Sequence, residues 1–424
     1  MSRDFKFIHT ADTHLGANWP AIAAKDRVQI PAFGEAFGQV VDCALREGVD
    51  FIVHGGDLLD HPRPSVAAAS RMLDELKKLQ AEGMPFIITK GSHDANPAFF
   101  ERMGGNWLHL LDAKLDLLSY VDIDANPSVD VKTGGASVVR IYGLGDYGVK
   151  QEEMLDRLVP KMRREGSDYS ILVMHGSIQE MPLVKGAAIS LSKMTPLIGS
   201  GLVDYLALGH NHRHWEDDRV QAMNPGSTEF TSFGEAARSR YAWENGELQD
   251  LGAQESPKGF YVVRVEGELT TPEFRTLRTR DVRDVIVEFA GATPQEVVEG
   301  LASALRRHSH PRAILRPIAT GYLGIFLLGC VSLAVGLFGS SLTSNQIVAA
   351  VVSGGILLAL WFIATAAQYL PQTLGNAINY FSLSNYFPDF MRGIIDTRGI
   401  IYYLSITALF LFFAIRSLEN SRWS

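Results

Sequence analysis

Five short polar blocks, each directly after a run of apolar or β-branched residues, constrain the fold of this chain more than any other feature. They are Asp12-Thr13-His14, Gly56-Asp57, Gly91-Ser92-His93-Asp94, His175-Gly176 and Gly209-His210-Asn211-His212. Each apolar run predicts a buried strand that ends at its block. Apolar residues at helical spacing in 33–47 and 66–82 predict amphipathic helices between the strands. Strands that alternate with helices indicate an α/β domain, whose ligands bind where the strands end.

The blocks are rich in carboxylates and imidazoles, which are common protein ligands of divalent cations. Asp12 and His14 are two residues apart, as are His210 and His212, so each pair shares one face of an extended strand. Asp57 follows two glycines, and its two oxygens could bridge two ions. Mixed Asp and His ligands suit Mn²⁺ or a similar metal better than Ca²⁺. Any one of these histidines could be a hydrogen-bonded core residue, but all five blocks together predict a metal site.

Composition limits the partners and the compartment that we expect. The 424 residues indicate more than one domain, and the net charge of −8 requires any nucleic-acid-binding surface to be local. The two cysteines, Cys43 and Cys330, are far apart in sequence, which argues against a disulfide framework. The first residues lack the apolar core of a secretory signal, so we expect this part of the protein in the cytosol.

Charged residues disappear from the chain just after Arg316. No Asp, Glu, Lys or Arg occurs from Pro317 to Pro388. A membrane-spanning helix needs about 20 mainly apolar residues. Three segments meet this requirement, at about 319–338, 346–367 and 399–416. The predicted domains are an α/β domain at 1–257, a small α+β domain at 258–316 and a membrane segment at 317–424.

The blocks resemble those of the calcineurin-like metallophosphoesterase superfamily, and most closely the SbcD-type nucleases of bacterial double-strand-break repair. The resemblance covers roughly residues 5–316 and rests on the stretches HTADTHLG, GGDLLD, PGSTE, TSFGE and KGF. It implies a β-sandwich flanked by helices, with a small cap domain. It also implies a metal-dependent DNA exonuclease and endonuclease that uses two divalent metal ions, most readily Mn²⁺, and a metal-bound water as the nucleophile.

The same resemblance implies roles for individual residues. The two sets of metal ligands would be Asp12, His14, Asp57 and His212 for one ion, and Asp57, Ser92, His175 and His210 for the other. His93 would protonate the leaving oxygen, and Asp94 would orient the ring of His93. At position 92 the family pattern has Asn, whereas this chain has Ser, whose hydroxyl is a poorer neutral ligand. We hypothesise that Ser92 weakens binding of the second metal and lowers turnover.

Arginine side chains are the candidates for substrate contact. Arg63 follows the GGDLLD stretch at the expected metal edge, and we predict that it contacts substrate. A second group could track a phosphate backbone and consists of Arg275, Arg278, Arg280 and Arg283. Acidic residues adjacent to this group, such as Glu273 and Asp284, favour a charge-balanced, solvated face instead.

The C-terminal segment resembles a different family, the ABC-type transporter permeases of the gliding-motility class. The match includes the stretch 322–350 and Arg392-Gly393-Ile394-Ile395-Asp396. Permeases of this class have further spans that do not occur here, and the chain contains no GxxxxGK[ST] motif for nucleotide binding. An odd number of spans places the two ends on opposite sides of the membrane. In the permease family the C-terminal end is cytosolic. The N-terminal nuclease part would then lie outside the cell.

This conflict leads to a hypothesis about the origin of the chain. We hypothesise that two unrelated reading frames were joined near residue 316, by gene rearrangement or by faulty assembly. A natural membrane-tethered nuclease remains the alternative. The nuclease part is expected in the cytoplasm by its own chemistry, and the whole chain in the cell membrane if the spans insert.

Three function classes follow. The leading expectation is a DNA nuclease of double-strand-break repair that works with an SbcC-like ATPase subunit and could form a homodimer. The second is another metallophosphoesterase, acting on nucleotides, lipids or phosphoproteins. The third is a membrane component of an ABC-type transporter with a non-catalytic head.

Overall fold

A computed structural model gives the fold of the chain in two compact units. It describes residues 4–17, 29–94, 107–181, 188–280, 282–289, 293–308, 316–367, 382–387, 390 and 397–423. The first unit contains the described residues up to Arg307, and the second contains those from His308 onward.

Two six-stranded sheets form the centre of the first unit. The first sheet has, in spatial order, β16 (Leu269–Thr276), β15 (Gly259–Glu266), β1 (Asp4–Thr10), β2 (Phe51–His54), β3 (Phe86–Ile88) and β4 (Leu118–Tyr120). The second has β11 (Trp215–Asp217), β12 (Ala222–Asn224), β10 (Tyr205–Gly209), β7 (Tyr169–His175), β6 (Val138–Leu144) and β5 (Ser128–Lys132). Strands β1 to β4 are parallel, as are β6, β7, β10 and β12, so their carboxyl ends lie at common edges.

Helices cover the outer face of each sheet. The helices α1 (Gln29–Glu47), α2 (Val66–Ala81) and α3 (Trp107–Lys114) pack on the first sheet, and α4 (Gln151–Leu158) and α5 (Leu191–Gly199) pack on the second. Helix α2 begins where the sequence predicts, because the Ser65 hydroxyl accepts a hydrogen bond from the backbone N–H of Ala68.

Aromatic and branched side chains fill the space between the two sheets. Phe7 and Phe51 stack with ring centroids 5.1 Å apart, and Tyr205 of the opposite sheet meets Phe7 edge-on at 5.3 Å. This core joins the two sheets into a sandwich with helices on both outer faces. The predicted α/β fold class, a β-sandwich flanked by helices, is confirmed.

A smaller sheet forms the cap of the first unit. Its strands are β14 (Glu247–Gln254), β13 (Ala237–Glu244) and β17 (Arg283–Phe289), and α6 (Pro294–Arg306) packs on it. A further pair of short strands, β8 (Ser177–Ile178) and β9 (Ala188–Ile189), lies apart from these sheets.

The predicted boundary between residues 257 and 258 does not follow the strand pairing. Strand β15, expected in the cap, pairs antiparallel with β1 in the first sheet, where it is buried on both faces. The hairpin of β13 and β14, expected in the first domain, belongs to the cap sheet. The physical difference is burial: side chains of β13 alternate between buried and exposed, as befits a sheet with one covered face.

Three long helices make up most of the second unit. They are α7 (Arg316–Ser341), α8 (Gln346–Ala367) and α9 (Thr397–Trp423). Buried Val331 and Val335 of α7 pack with Tyr403 of α9, whose hydroxyl donates a hydrogen bond to Leu383 O at 2.9 Å. All three helices are long and apolar enough to cross a membrane, as the sequence predicts. The permease-like residues 392–396 and the predicted cap residues 309–315 lie outside the described residues.

Candidate metal centre

The polar blocks follow the carboxyl ends of five parallel strands, and their backbone turns sharply there. Asp12, His14, Asp57 and His210 all have positive φ, at 51°, 47°, 55° and 88°. This left-handed region is unfavourable for residues with a side chain, and such strain concentrates at functional sites. The turns let several side chains of neighbouring strands converge on one small volume.

Two glycines allow the strand ends to approach each other closely. A Cβ atom added to Gly91 would lie only 2.0 Å from Asp57 Oδ1, and one added to Gly56 would lie 2.7 Å from His175 Nδ1. Gly56 also has a φ of 91°. Only glycine therefore fits at these two positions while the acidic and imidazole side chains keep their places.

The first cluster of potential ligands contains Asp12, His14 and His212, whose ligand atoms all lie within 4.8 Å of one another. The Nε2 atoms of His14 and His212 face each other at 3.1 Å. His14 Nε2 also lies 3.8 Å from Asp57 Oδ2, and His212 Nε2 lies 4.0 Å from Asp12 Oδ1. These are the four residues predicted for the first ion, and the structure brings them together.

The second cluster contains Asp12, Asp57 and His175, again within 4.8 Å. His175 Nε2 lies 3.4 Å from Asp57 Oδ2 and 3.2 Å from His210 Nδ1. Ser92 also reaches this cluster, since its hydroxyl donates a hydrogen bond to Asp57 Oδ2 at 3.3 Å. The four residues predicted for the second ion are thus neighbours.

Two carboxylates link the clusters. The sequence predicts Asp57 as the shared ligand, and Asp57 does lie near His14 and His175. Asp12 also belongs to both clusters, and its carboxylate accepts the backbone N–H of His210 at 2.9 Å. Oxygen and imidazole nitrogen atoms in these numbers fit divalent cations such as Mn²⁺, Fe²⁺ or Zn²⁺.

The charges of the metal-free site are strongly coupled. Burial alone would raise the pKa of Asp57, but the nearby imidazoles, first His175, hold it well below its usual range. Burial opposes the charge of His175, yet the Asp57 carboxylate raises the pKa of His175 to about 10. Burial lowers the pKa of His210 and of His212. Cation binding therefore has to displace a proton from His175.

The predicted role of Asp94 is wrong. Among the described residues, the buried Asp94 carboxylate accepts only backbone N–H groups, those of Asp57, Leu58, Leu59 and Gly91. Burial, together with the Asp57 charge, raises the pKa of Asp94 to about 6. The carboxylate is already occupied in tying the Asp57 loop to the Gly91 loop. It therefore fixes the backbone of the site and does not orient His93.

Asp60, which the sequence reasoning missed, orients the ring of His93. His93 Nδ1 lies 2.8 Å from the backbone oxygen of Asp60, and the His93 side chain is 46% exposed. The Asp60 carboxylate lies 3.2 Å from His14 Nδ1. A carbonyl oxygen can only accept, so Nδ1 of His93 carries a proton. Asp60 ends the GGDLLD stretch, but this position alone does not indicate that its backbone oxygen faces His93.

A cavity of about 260 Å³ opens at this centre and is lined by His14, Ala17, Phe33, Asp60, His93, His212 and Thr231. Arg63 is exposed and lies in the loop after Asp60, but it is not among the described residues that line the cavity. Its backbone N–H donates to His61 Nδ1 at 2.9 Å. The expected contact of Arg63 with substrate stays a prediction.

Three of the four arginines of the second group, Arg275, Arg280 and Arg283, have acidic partners, in line with the face favoured above. Arg275 contacts Glu273 at 2.9 Å, Arg280 contacts Glu229 at 3.5 Å, and Arg283 contacts Glu255 at 3.0 Å. These pairs reduce the positive charge that the stretch offers to a phosphate backbone, whereas Arg278 is exposed.

Comparisons with known proteins agree with the geometry. Residues 5–214 match the family of calcineurin-like phosphoesterases. The DNA double-strand break repair protein Mre11 of Sulfurisphaera tokodaii is 29% identical over 208 residues, 49% of each chain. The Mre11 protein of Haloferax volcanii is 30% identical over 298 residues, 68% of this chain and 55% of that protein. The uncharacterized metallophosphoesterase YhaO of Bacillus subtilis is 24% identical over 351 residues, 76% of this chain and 74% of that protein.

The family match covers the N-terminal part of the chain, residues 5–214. This part contains a calcineurin-like metallophosphoesterase domain with Mre11-like relatives. Members of this family use a dinuclear divalent metal centre, and the two ligand clusters described above fit one. The chain spans about half the length of these two Mre11 proteins, 49% of the Sulfurisphaera tokodaii protein and 55% of the Haloferax volcanii protein.

Proposed function

We propose that the calcineurin-like metallophosphoesterase domain of this chain is a nuclease that hydrolyses phosphodiester bonds of DNA with two divalent cations, most readily Mn²⁺. The observation that carries the proposal is the convergence of two ligand clusters around Asp57 and Asp12. A single metal or a structural site would not need two carboxylates placed between two sets of imidazoles.

We assign metal binding to seven residues of the site and proton transfer to His93. Asp12, His14, Asp57 and His212 would hold one cation, and Asp57, Ser92, His175 and His210 the other, so that Asp57 is shared. When bound, the two cations would neutralise phosphate charge and lower the pKa of water, as two-metal centres generally do. The Asp60 carbonyl accepts the Nδ1 proton of His93 and leaves the opposite nitrogen, Nε2, unengaged by this contact. In the imidazolium form of the ring, Nε2 carries the second proton and would give it to the leaving oxygen, after which the ring is neutral.

DNA is the proposed substrate on the strength of relatives that are named DNA double-strand break repair proteins. The paired arginines of 275–283 leave phosphate neutralisation largely to the cations and to Arg63. By the same likeness, an SbcC-like ATPase subunit and a second copy of the chain are the proposed partners.

The alternative within the same chemistry is a smaller phosphoester substrate, such as a nucleotide, a lipid or a phosphoprotein side chain. The half-exposed His93 and a cavity of about 260 Å³ are compatible with either size of substrate. The two proposals differ in what the full chain cleaves.

The deciding assay uses the full chain purified in detergent. Linear duplex DNA with labelled ends and bis(p-nitrophenyl) phosphate are offered with Mn²⁺, with Mg²⁺ and with EDTA. We expect Mn²⁺-dependent shortening of DNA that disappears in Asp57→Asn. Cleavage of the small diester with intact DNA would favour the alternative. No Mn²⁺-dependent cleavage of either would support a head that only binds.

We also propose that α7, α8 and α9 place the chain in the cell membrane. The support is their length and apolar composition, and the division of the chain into two units close to the predicted junction at residue 316. Faulty assembly and a gene that is joined in the genome make opposite predictions. Amplification across residue 316 from source DNA yields a continuous product only for a gene that is joined in the genome.

A further inference from the structure

A buried ion pair lies directly behind one imidazole of the metal centre. Lys258 Nζ lies 2.6 Å from Glu235 Oε2, and the two side chains are 0% and 4% exposed. Two charges are costly to remove from water, and a buried pair often adds no stability over apolar side chains of the same size. The pair therefore calls for an explanation beyond packing.

The ammonium group of Lys258 has all three of its hydrogen bonds. It donates to Glu235 Oε2 at 2.6 Å, to Ser227 Oγ at 2.7 Å and to the backbone oxygen of His212 at 2.9 Å. One of its three acceptors is thus the main chain of a predicted metal ligand. Lys258 fixes where the backbone of His212 lies.

The other oxygen of Glu235 contacts the ring of the same histidine. His212 Nδ1 lies 2.9 Å from Glu235 Oε1, and the hydroxyl groups of Thr231 and Ser232 also donate to this oxygen. The adjacent Lys258 cation favours the ionised carboxylate, which can only accept hydrogen bonds. The proton of a neutral His212 ring is then on Nδ1, and Nε2 is bare where it faces His14 Nε2.

The two members of the pair also flank one segment of the cap, the β13–β14 hairpin. Glu235 lies two residues before β13, and Lys258 lies immediately before β15. The β13–β14 hairpin of the cap sheet lies between them. The ion pair thus closes the base of this hairpin against the loop that carries His212.

We infer that Glu235 and Lys258 are positioning residues for the cation that His212 binds. Glu235 sets the tautomer of the ring, and Lys258 holds both the carboxylate and the main chain of His212. The inference rests on the proposed two-cation function and adds to it two residues that touch no cation. Outer partners of this kind usually change metal affinity about 10- to 100-fold.

The test measures Mn²⁺ binding by the full chain in detergent, from the electron paramagnetic resonance signal of free Mn²⁺. The main variant is Glu235→Gln with Lys258→Met, which removes both charges and keeps the side-chain size. Replacing both members of a buried pair often preserves stability, so we expect this variant to fold. We expect one of two Mn²⁺ ions to bind about 10- to 100-fold more weakly, with the other unchanged.

A matched control is Glu229→Gln, which alters another buried glutamate, the partner of Arg280. It should leave both affinities unchanged. If the double variant is folded and binds both ions as wild type does, whatever its melting temperature, the pair does not position His212 and the inference is overturned. A wild-type chain that binds no Mn²⁺ would instead contradict the proposed function.

A second variant decides the matter even if the double variant does not fold. Thr231 Oγ1 is the other oxygen near His212 Nδ1, at 2.8 Å. Thr231→Val leaves both charges in place but removes a hydroxyl that lines the cavity and donates to Glu235, so we expect a loss of Mn²⁺ affinity that is smaller than the loss of about 10- to 100-fold that follows removal of an orienting partner. A loss as large as that would assign the tautomer to Thr231 and refute the role of Glu235.

Discussion

At the scale of single residues, Asp57 is the side chain on which most contacts of the site depend. Its carboxylate lies near His14, His175 and Ser92, and it accepts the backbone N–H of His93 at 2.7 Å. The amide group of asparagine has one oxygen acceptor and no charge. A change at this position therefore affects both ligand clusters at once.

We predict that Asp57→Asn lowers Mn²⁺-dependent hydrolysis by at least about 100-fold, because loss of even an outer partner of a metal ligand costs about 10- to 100-fold. Steady-state rates and Mn²⁺ stoichiometry measure the effect. Asp130→Asn is the control, since Asp130 pairs with Arg140 on the surface of the second sheet. Equal activity of Asp57→Asn and wild type would contradict the shared role of Asp57.

Ser92 offers a gain-of-function prediction. Its hydroxyl already contacts Asp57 Oδ2, and asparagine would bring a carbonyl oxygen to the same place. We expect Ser92→Asn to bind the second Mn²⁺ more tightly and to turn over faster. Titration with Mn²⁺ measures both, with the exposed Ser200→Asn as the control. Unchanged affinity and rate would rule out the idea that Ser92 weakens this metal.

The sequence predicts which side chains converge at the strand ends better than it predicts the groups that orient them. Spacing and strand ends were enough to find Asp12, His14, Asp57 and the later histidines. The roles of Asp94 and Asp60 were not accessible in this way. Asp94 is adjacent to His93 in sequence, but its carboxylate faces backbone N–H groups, and only the path of the loops determines this.

At the scale of strands and loops, close approach of two turns forms the site. Gly91 lies so near the Asp57 loop that a Cβ atom would be 2.0 Å from Asp57 Oδ1 and 2.3 Å from Asp57 N. We predict that Gly91→Ala lowers the free energy of unfolding by about 1–3 kcal/mol, the usual cost of overpacking, and weakens Mn²⁺ binding.

Urea unfolding and Mn²⁺ titration of Gly91→Ala check this prediction. The matched control is Gly199→Ala, because a Cβ atom there meets no atom within 4 Å. Alanine in helix α5 should leave the free energy of unfolding equal or slightly higher. A Gly91→Ala variant as stable as wild type, with the same Mn²⁺ affinity, would show that the loops are not in close contact.

A buried histidine on β1 predicts how stability depends on pH. His9 Nδ1 lies 3.0 Å from Tyr205 Oη, and its Nε2 lies 3.0 Å from Leu208 O. Burial lowers the pKa of His9 from 6.5 to about 3. The unfolded chain therefore binds this proton first, so the contribution of His9 is fully present above pH 6.5 and is lost as pH falls toward 3.

The variant His9→Gln removes this proton. Between pH 6.5 and 4 we expect the free energy of unfolding to fall with decreasing pH less steeply than in wild type, by up to about 1.4 kcal/mol per pH unit. Urea unfolding of the metal-free protein at several pH values measures the slope. An identical slope in both proteins would mean that His9 is not buried in its neutral form.

Pairing between distant strands limits what the sequence can predict at this scale. The segments that become β13 and β15 both look like strands, and the sequence does not tell which sheet each one joins. In the structure β15 extends the first sheet beside β1, and β13 joins the cap sheet. The choice depends on long-range packing, which a local pattern does not contain.

At the scale of the whole molecule, the three apolar helices predict a membrane location for the chain. In the most hydrophobic stretch of α8, from Gln346 to Ile363, no residue is buried. In the corresponding stretches of α7 and α9, 33% and 22% of the residues are buried. We predict that the expressed chain sediments with membranes and stays there after a carbonate wash. Release into the supernatant by carbonate would contradict insertion. A detergent extract should then contain the phosphoesterase activity.

The central claim is that two cations are held between the sets of imidazoles on either side of Asp57. The most direct measurement is anomalous diffraction at the manganese edge from crystals soaked in Mn²⁺. We expect two peaks about 4 Å apart, one beside His14 and His212 and one beside His175 and His210. Crystals that bind Mn²⁺ elsewhere, or show no peak at these imidazoles, would contradict the account.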